Sequence, residues 1–200
     1  MTRPARQAWA AFGGMAVGLA LFVIIERLVV PRYVLATAAD AAIPFLPLTW
    51  PVYMLFFPLV IALSALACER EFARFQVAVA LAFLLSFVCF ALFPEAIPRP
   101  DAASIANPFL RQRLARLWMM DLPSNGCPSL HVSITCLACR MVWPTRYRWP
   151  AAATGMLVCL STLTLKQHTL VDVGGGLLMA CLCAALAARG KRREVIHGAA

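Results

Sequence analysis

The feature that most limits this chain is a series of long apolar blocks separated by short connections that carry arginine. The blocks cover about 9–30, 51–68, 75–93, 129–143, 149–165 and 169–188, and they are apolar all round rather than striped. A helix needs about 20 apolar residues to cross a hydrocarbon core of about 30 Å. Inside that core every backbone polar group must be bonded within the segment, which selects helices. With 62% hydrophobic and 14% charged residues in a chain of 200, no water-soluble core could enclose so much apolar surface. The sequence therefore predicts an all-α polytopic membrane protein, with six transmembrane helices in one bundle and residues 1–200 as a single domain. The fourth block is the shortest and has to begin at the interface. The first follows Arg3 and Arg6 but is too long for the core of a secretory signal, so it is expected to persist as a helix.

The basic residues set an expected orientation. Six spans place Arg3, Arg6, Arg70, Arg74, Arg140, Arg146, Arg148, Arg189, Lys191, Arg192 and Arg193 on one side, 11 of the 18. The other side holds the remaining 7: Arg27, Arg32, Arg99, Arg111, Arg113, Arg116 and Lys166. The excess predicts both termini in the cytoplasm of a bacterial-type inner membrane, with residues 189–200 as a basic cytoplasmic tail. The connection 94–128 lies outside on this reading. Within it, Phe109 to Trp118 interleaves four-carbon and aromatic apolar groups with Arg111, Arg113 and Arg116, the pattern of a helix lying in the interface.

A net charge of +9 raises the question of nucleic acid, but the arginines sit in short clusters between apolar blocks and form no continuous basic face. No nucleic-acid partner is expected. The cysteines lie almost all within the apolar blocks, where Cys behaves as a small hydrophobe. Cys136 and Cys139 have a zinc-like spacing without a second pair, and free thiols are expected throughout.

Chemistry-bearing residues cluster at the block ends assigned to the outer face. His131 opens the fourth block after Pro128-Ser129-Leu130, and His168 opens the sixth. His168 and Asp172 are four apart, on one helix face, so the carboxylate can hold one imidazole nitrogen and free the other. A carboxylate inside an apolar helix is costly without a partner. Pro128 and Ser129 suit a helix start, whose free N–H groups and positive dipole end bind phosphate. Arg99, between Pro98 and Pro100, is held just outside the third block, and Lys166 adds a second cation. Each element also has a structural reading. His131 can be an interfacial histidine bonded to a carbonyl, His168 and Asp172 a polar pair joining helices, and Gly174-Gly175-Gly176 a close helix contact. His197 falls in the basic tail and is given no role.

Together, Arg99-Pro100, Pro128-Ser129-Leu130-His131 and the run Ser161 to His168 to Asp172 resemble the three-part signature of the type 2 phosphatidic acid phosphatase superfamily. The resemblance spans about 75 residues. It implies that His168 is a nucleophile that becomes a phosphohistidine, Asp172 its orienting partner and His131 the acid for the leaving group. It implies phosphate binding by Arg99, Ser129 and Lys166, a membrane lipid with a phosphate headgroup as substrate, and neither cofactor nor metal. Two positions depart from the signature. Leu92 stands where a lysine is usual and Thr162 where an arginine is usual. Lys166-Gln167-His168 resembles the branch related to inositol phosphorylceramide synthases. The expected activity is hydrolysis of a lipid phosphomonoester, with transfer of a phospho-headgroup between lipids as the alternative. A transporter or scaffold that keeps the fold without the reaction is the third reading.

Overall fold

The structure, a computed structural model, describes residues 1–197, with side chains up to residue 189. The side chains of the expected basic tail, His197 among them, lie outside the described residues. Nine α-helices follow one another in the described chain: α1 Arg3–Leu28, α2 Ala38–Ala42, α3 Trp50–Met54, α4 Phe56–Leu66, α5 Glu69–Leu92, α6 Pro108–Met120, α7 Leu130–Met141, α8 Arg148–Thr164 and α9 Leu170–His197. No strand forms among the described residues; two isolated bridges, Tyr33 with Glu95 and Ala96 with Ser124, tie the connections together.

Helical runs stand at all six expected places. Four of them, Arg3–Leu28, Pro47–Leu66, Glu69–Leu92 and Leu170–Arg189, are long and apolar enough to cross a membrane. Large apolar side chains such as Trp9, Met156, Trp149 and Leu178 stand exposed on the helix exteriors, where lipid would meet them. The second run is jointed at Leu55. Pro58 has no N–H to give the Met54 carbonyl, so α3 ends there and α4 starts afresh.

Helix α7 has only 12 residues, a length of about 18 Å, against a hydrocarbon core of about 30 Å. Its position explains this. Leu130, Val132, Ser133, Ile134, Thr135, Leu137, Ala138 and Met141 are all buried, because α4, α5, α8 and α9 pack around it. A helix sheathed by protein need not match the bilayer. Close approach of α9 is made at Gly176, where a Cβ would stand 2.7 Å from the Ser129 carbonyl oxygen and 2.9 Å from Val132 Cβ. The glycine run therefore serves packing, against α7 at Gly176 and against Cys127 and Pro128 ahead of α7 at Gly175; Gly174 faces open space.

Helix α6 occupies the arginine-rich connection. Asn107 caps it by accepting from the Phe109 and Leu110 N–H groups at 3.0 and 3.2 Å. Leu110 and Leu114 seat it on Tyr53, Ile105 and Leu165, forming a second small core over the site-bearing end of the bundle. Two of its three arginines are engaged locally. Arg111 Nε donates to the Ile105 carbonyl at 2.8 Å, and the Arg113 guanidinium lies 5.0 Å from the Phe109 ring centre.

Candidate active site

The signature positions converge on one end of the bundle, because α7 and α9 start there and α5 and α8 finish there. Helix α8 ends in a Schellman turn: the Lys166 N–H bonds the Leu163 carbonyl at 3.1 Å and the Gln167 N–H bonds the Thr162 carbonyl at 2.9 Å. The residue this turn puts in the left-handed region is Lys166, at φ 54°. The turn delivers His168 to the start of α9. There Thr169 and Asp172 form a reciprocal cap. Asp172 Oδ2 accepts from the Thr169 N–H at 2.7 Å, and the Thr169 hydroxyl accepts from the Asp172 N–H at 3.3 Å.

Asp172 is fully buried and its Oδ2 also lies 3.4 Å from His168 Nδ1, which leaves Nε2 as the free nitrogen. The ring centres of His168 and His131 are 5.8 Å apart. His131 is held by stacking, with Tyr53 and Phe56 rings 4.7 and 4.5 Å from it. Among the described residues no carbonyl accepts from its ring, so the structural alternative for His131 finds no partner here. The first-turn N–H groups of Leu130 and His131 have no intrahelical acceptor, and both residues line the same cavity as His168.

That cavity has a volume of about 370 Å³. Both histidines, Gln167, Asn125, Ser124 and Asp121 stand at its polar head, and Arg27 lines it from the end of α1. Below them the walls are apolar, with Leu19 and Phe22 of α1 facing Phe83 and Phe90 of α5.

The three residues expected to bind phosphate are placed differently from their histidine partners. Arg99 is buried behind the head of the cavity. Its Nη1 donates to the Asp121 carbonyl at 2.6 Å, its Nη2 to Gln167 Oε1 at 2.8 Å, and the Asp121 carboxylate lies 3.8 Å away. Burial lowers the affinity of Arg99 for its proton, and Asp121 works against that. Burial in turn pushes the Asp121 carboxyl up, opposed by Arg99. Ser129 is fully buried, and its oxygen accepts from the Val132 N–H at 3.3 Å as the cap of α7. Lys166 turns away from the histidines. Its ammonium donates to the Asp40 and Ile43 carbonyls at 2.7 and 2.6 Å. A positively φ-constrained backbone aims it there, so the cation expected beside the phosphate instead ties down the α2 loop.

Two residues that sequence reasoning passed over face the cavity instead. Gln167 is buried, and with its oxygen bonded to Arg99 its Nε2 is a buried donor without a partner. Asn125, at φ 56°, is buried with both side-chain polar atoms unpartnered. Unpaired buried amide groups are costly, and both residues line the same cavity as His131 and His168. The signal for Gln167 was its place between Lys166 and His168. Asn125, before Gly126, gave only a turn signal.

The fold and site define a helical, membrane-type protein with two histidines and an aspartate at the head of an apolar cavity. Residues 48–186 match the family model described as the PAP2 superfamily, and the chain belongs to that superfamily. Membership points to phosphatase or phosphotransferase activity on phosphate esters. No curated protein and no solved structure matches the chain.

Proposed function

We propose that the chain is a lipid phosphate phosphatase that hydrolyses a phosphomonoester of a membrane lipid through a phosphohistidine at His168. The observation that carries this reading is the cavity: its head holds both histidines and the unpartnered amide nitrogens of Gln167 and Asn125, and its apolar walls suit an acyl chain. In the first step His168 Nε2 attacks phosphorus and the P–O ester bond breaks. Protonated His131 gives its proton to the departing alkoxide. Asp172 holds Nδ1–H and stabilises the charge that His168 acquires. In the second step neutral His131 takes a proton from water, the hydroxide oxygen bonds phosphorus, and the P–N bond breaks to release phosphate. The Gln167 and Asn125 amides, with the Leu130 and His131 N–H groups, hold the phosphoryl oxygens. In this reading six helices span a bacterial-type inner membrane, with the cavity head outside and both termini in the cytoplasm.

Charge favours a second reading, transfer of a phospho-headgroup between lipids. Leu92 and Thr162 carry no charge, Lys166 is engaged on carbonyls, and Arg99 stands against Asp121. Apart from Arg27 at the end of α1, the donors lining the cavity head are neutral, which suits a monoanionic phosphodiester better than a dianionic monoester. The two are separated with the purified full chain in lipid–detergent micelles. Hydrolysis predicts inorganic phosphate from a lipid phosphomonoester, lost in His168→Ala. Recovery of the headgroup on a second lipid, without free phosphate, replaces the first reading with the second. Normal cellular function of a His131→Ala, His168→Ala double variant would leave only a scaffold or transporter role. A reporter fused after Pro100 that reads cytoplasmic would reverse the proposed orientation.

A further inference from the structure

Behind the His168–Asp172 pair lies a second carboxyl group that no part of the mechanism above uses. Glu95 is fully buried, and both of its oxygens lack a hydrogen-bond partner. Asp172 is also fully buried, and of its two oxygens only Oδ1 lacks a partner. The Asn125–Gly126 step brings the two residues together: the Asn125 N–H bonds the Glu95 carbonyl, Gly126 lies against Asp172 Oδ2, and Asp172 acts on the Glu95 carboxyl directly.

The backbone around Glu95 is clamped from two sides. The Arg32 and Tyr33 N–H groups bond the Pro94 carbonyl at 2.8 and 3.0 Å, and the Ala96 N–H bonds the Tyr33 carbonyl at 2.7 Å. From the other side the Asn125 N–H bonds the Glu95 carbonyl at 2.9 Å, and the Ile97 N–H bonds the Pro123 carbonyl at 2.9 Å. Nor is there slack around Asp172, since a Cβ at Gly126 would stand 2.6 Å from its Oδ2. Glu95 is thus held rigidly against a carboxylate whose other oxygen serves the proposed nucleophile.

Two carboxylates side by side in a dry pocket cannot both be ionised. Asp172 Oδ2 has two donors that favour its charge, the Thr169 N–H and His168 Nδ1. The nearest N–H groups to Glu95, those of Cys127 and Leu35, pull its carboxyl toward ionisation but make no well-aligned hydrogen bond to it. Burial, then Asp172, outweigh them and push Glu95 up to about 9. The other titratable group facing it is the Cys127 thiol, itself pushed up to about 12 by burial and by these two carboxyls, and therefore neutral. Tyr33 meets Glu95 through the backbone only.

We propose that Glu95 is a positioning residue: its neutral carboxyl donates a hydrogen bond to Asp172 Oδ1 and so fixes the carboxylate that orients His168. The inference rests on the reading of His168 as nucleophile. A carboxylic acid kept neutral as a donor satisfies Asp172 Oδ1 without adding charge to the pocket. It also confines His168 to Oδ2, since Oδ1 is occupied.

The test compares the full-length protein with its Glu95→Gln and Glu95→Ala variants, following phosphoenzyme formation against pH and the infrared band of protonated carboxyl groups. Glu95→Gln keeps a donor and is expected within about 3-fold of the parent at neutral pH, whereas Glu95→Ala falls about 10- to 100-fold, the range for a lost hydrogen bond to a charged group. As pH rises through about 9 the parent loses activity, because Glu95 ionises against Asp172 and ceases to donate. Glu95→Gln has no such alkaline limb. The parent's protonated-carboxyl band is diminished in Glu95→Gln at neutral pH and titrates away in the same alkaline range. An unchanged alkaline limb in Glu95→Gln, parent-like activity in Glu95→Ala, or an unchanged infrared band each overturns the proposal. Phosphoenzyme persisting in His168→Ala would instead overturn the nucleophile reading, while the infrared band would still report on the Glu95 proton.

Discussion

Helices α7 and α9 both start at the head of the cavity, with His131 in the first turn of α7 and His168 just ahead of α9, but their N-termini are finished in opposite ways. At α9 the end is closed. The Leu170 N–H donates to Asp40 Oδ1 at 2.7 Å, the Asp172 N–H to the Thr169 hydroxyl, and the Thr169 N–H to Asp172. Despite burial, the Thr37 and Leu170 N–H groups hold the Asp40 carboxyl below its usual range, so it stays ionised there. At α7 only the Val132 N–H is capped, by Ser129, and the Leu130 and His131 N–H groups remain for a ligand. The contrast teaches a division of labour. On the proposed reading, a nucleophile needs a fixed ring and no competing anion, which the closed end suits; a phosphoryl group needs open donors, which α7 offers.

The sharpest way to break that division is to remove each histidine. His168→Ala is expected to abolish phosphoenzyme and lower turnover by on the order of 10⁴-fold or more, the scale for loss of a nucleophile. His131→Ala is expected to cost about 10²- to 10⁴-fold, the range for general acid–base help. The two losses differ in kind. A substrate with a strongly acidic leaving group restores phosphoenzyme formation in His131→Ala and does nothing for His168→Ala. Equal rescue of both, measured by rapid-quench trapping, would erase the assigned difference.

The next effect sharpens what the open end binds. Gln167→Glu keeps the shape and the Arg99 contact but turns the free donor into a charged acceptor. Substrate binding is expected to weaken about 10- to 100-fold, the scale of a hydrogen bond to a charged group, with the rise in KM exceeding the fall in kcat. Unchanged KM would remove Gln167 from the phosphate cradle.

Much of this was legible in the sequence, for reasons that can be located. Apolar blocks fix helices because lipid leaves the backbone no other partner, and the helical runs fall at all six block positions. The spacing of four suggests that His168 and Asp172 meet on one helix face; the structure does place them 3.4 Å apart, but with His168 in the turn ahead of α9 and Asp172 in its first turn. The hydrogen-bond partners of the three residues expected to bind phosphate were not legible. Residue type suggests that Arg99, Lys166 and Ser129 are donors, but their targets depend on groups distant in sequence: Asp121 for Arg99, and Asp40 and Ile43 for Lys166. Asp172 hid a second duty, since Thr169-Leu170-Val171-Asp172 is also a helix cap. The shortness of α7 was visible, but its cause, burial by four neighbouring helices, lies in packing that a linear pattern does not carry.

The smallest expected effect concerns Lys166, the cation that the closed end diverts from the site. Two influences act at this position in opposite directions. Its left-handed backbone costs a non-glycine residue roughly 1 kcal/mol, while its ammonium joins the α8–α9 turn to the α2 loop that supplies Asp40. Lys166→Met removes the tie and keeps the strain; Lys166→Gly removes both. Lys166→Met is therefore expected to lower thermal stability, and Lys166→Gly to recover about 1 kcal/mol of that loss, as is usual where glycine meets a Schellman turn. In both variants KM for the phosphate substrate stays within about 3-fold of the parent, because no hydrogen bond to substrate is lost. A selective rise in KM for Lys166→Met, with stability unchanged, would show that the ammonium swings to the phosphate and that the closed end of α9 opens in the working enzyme.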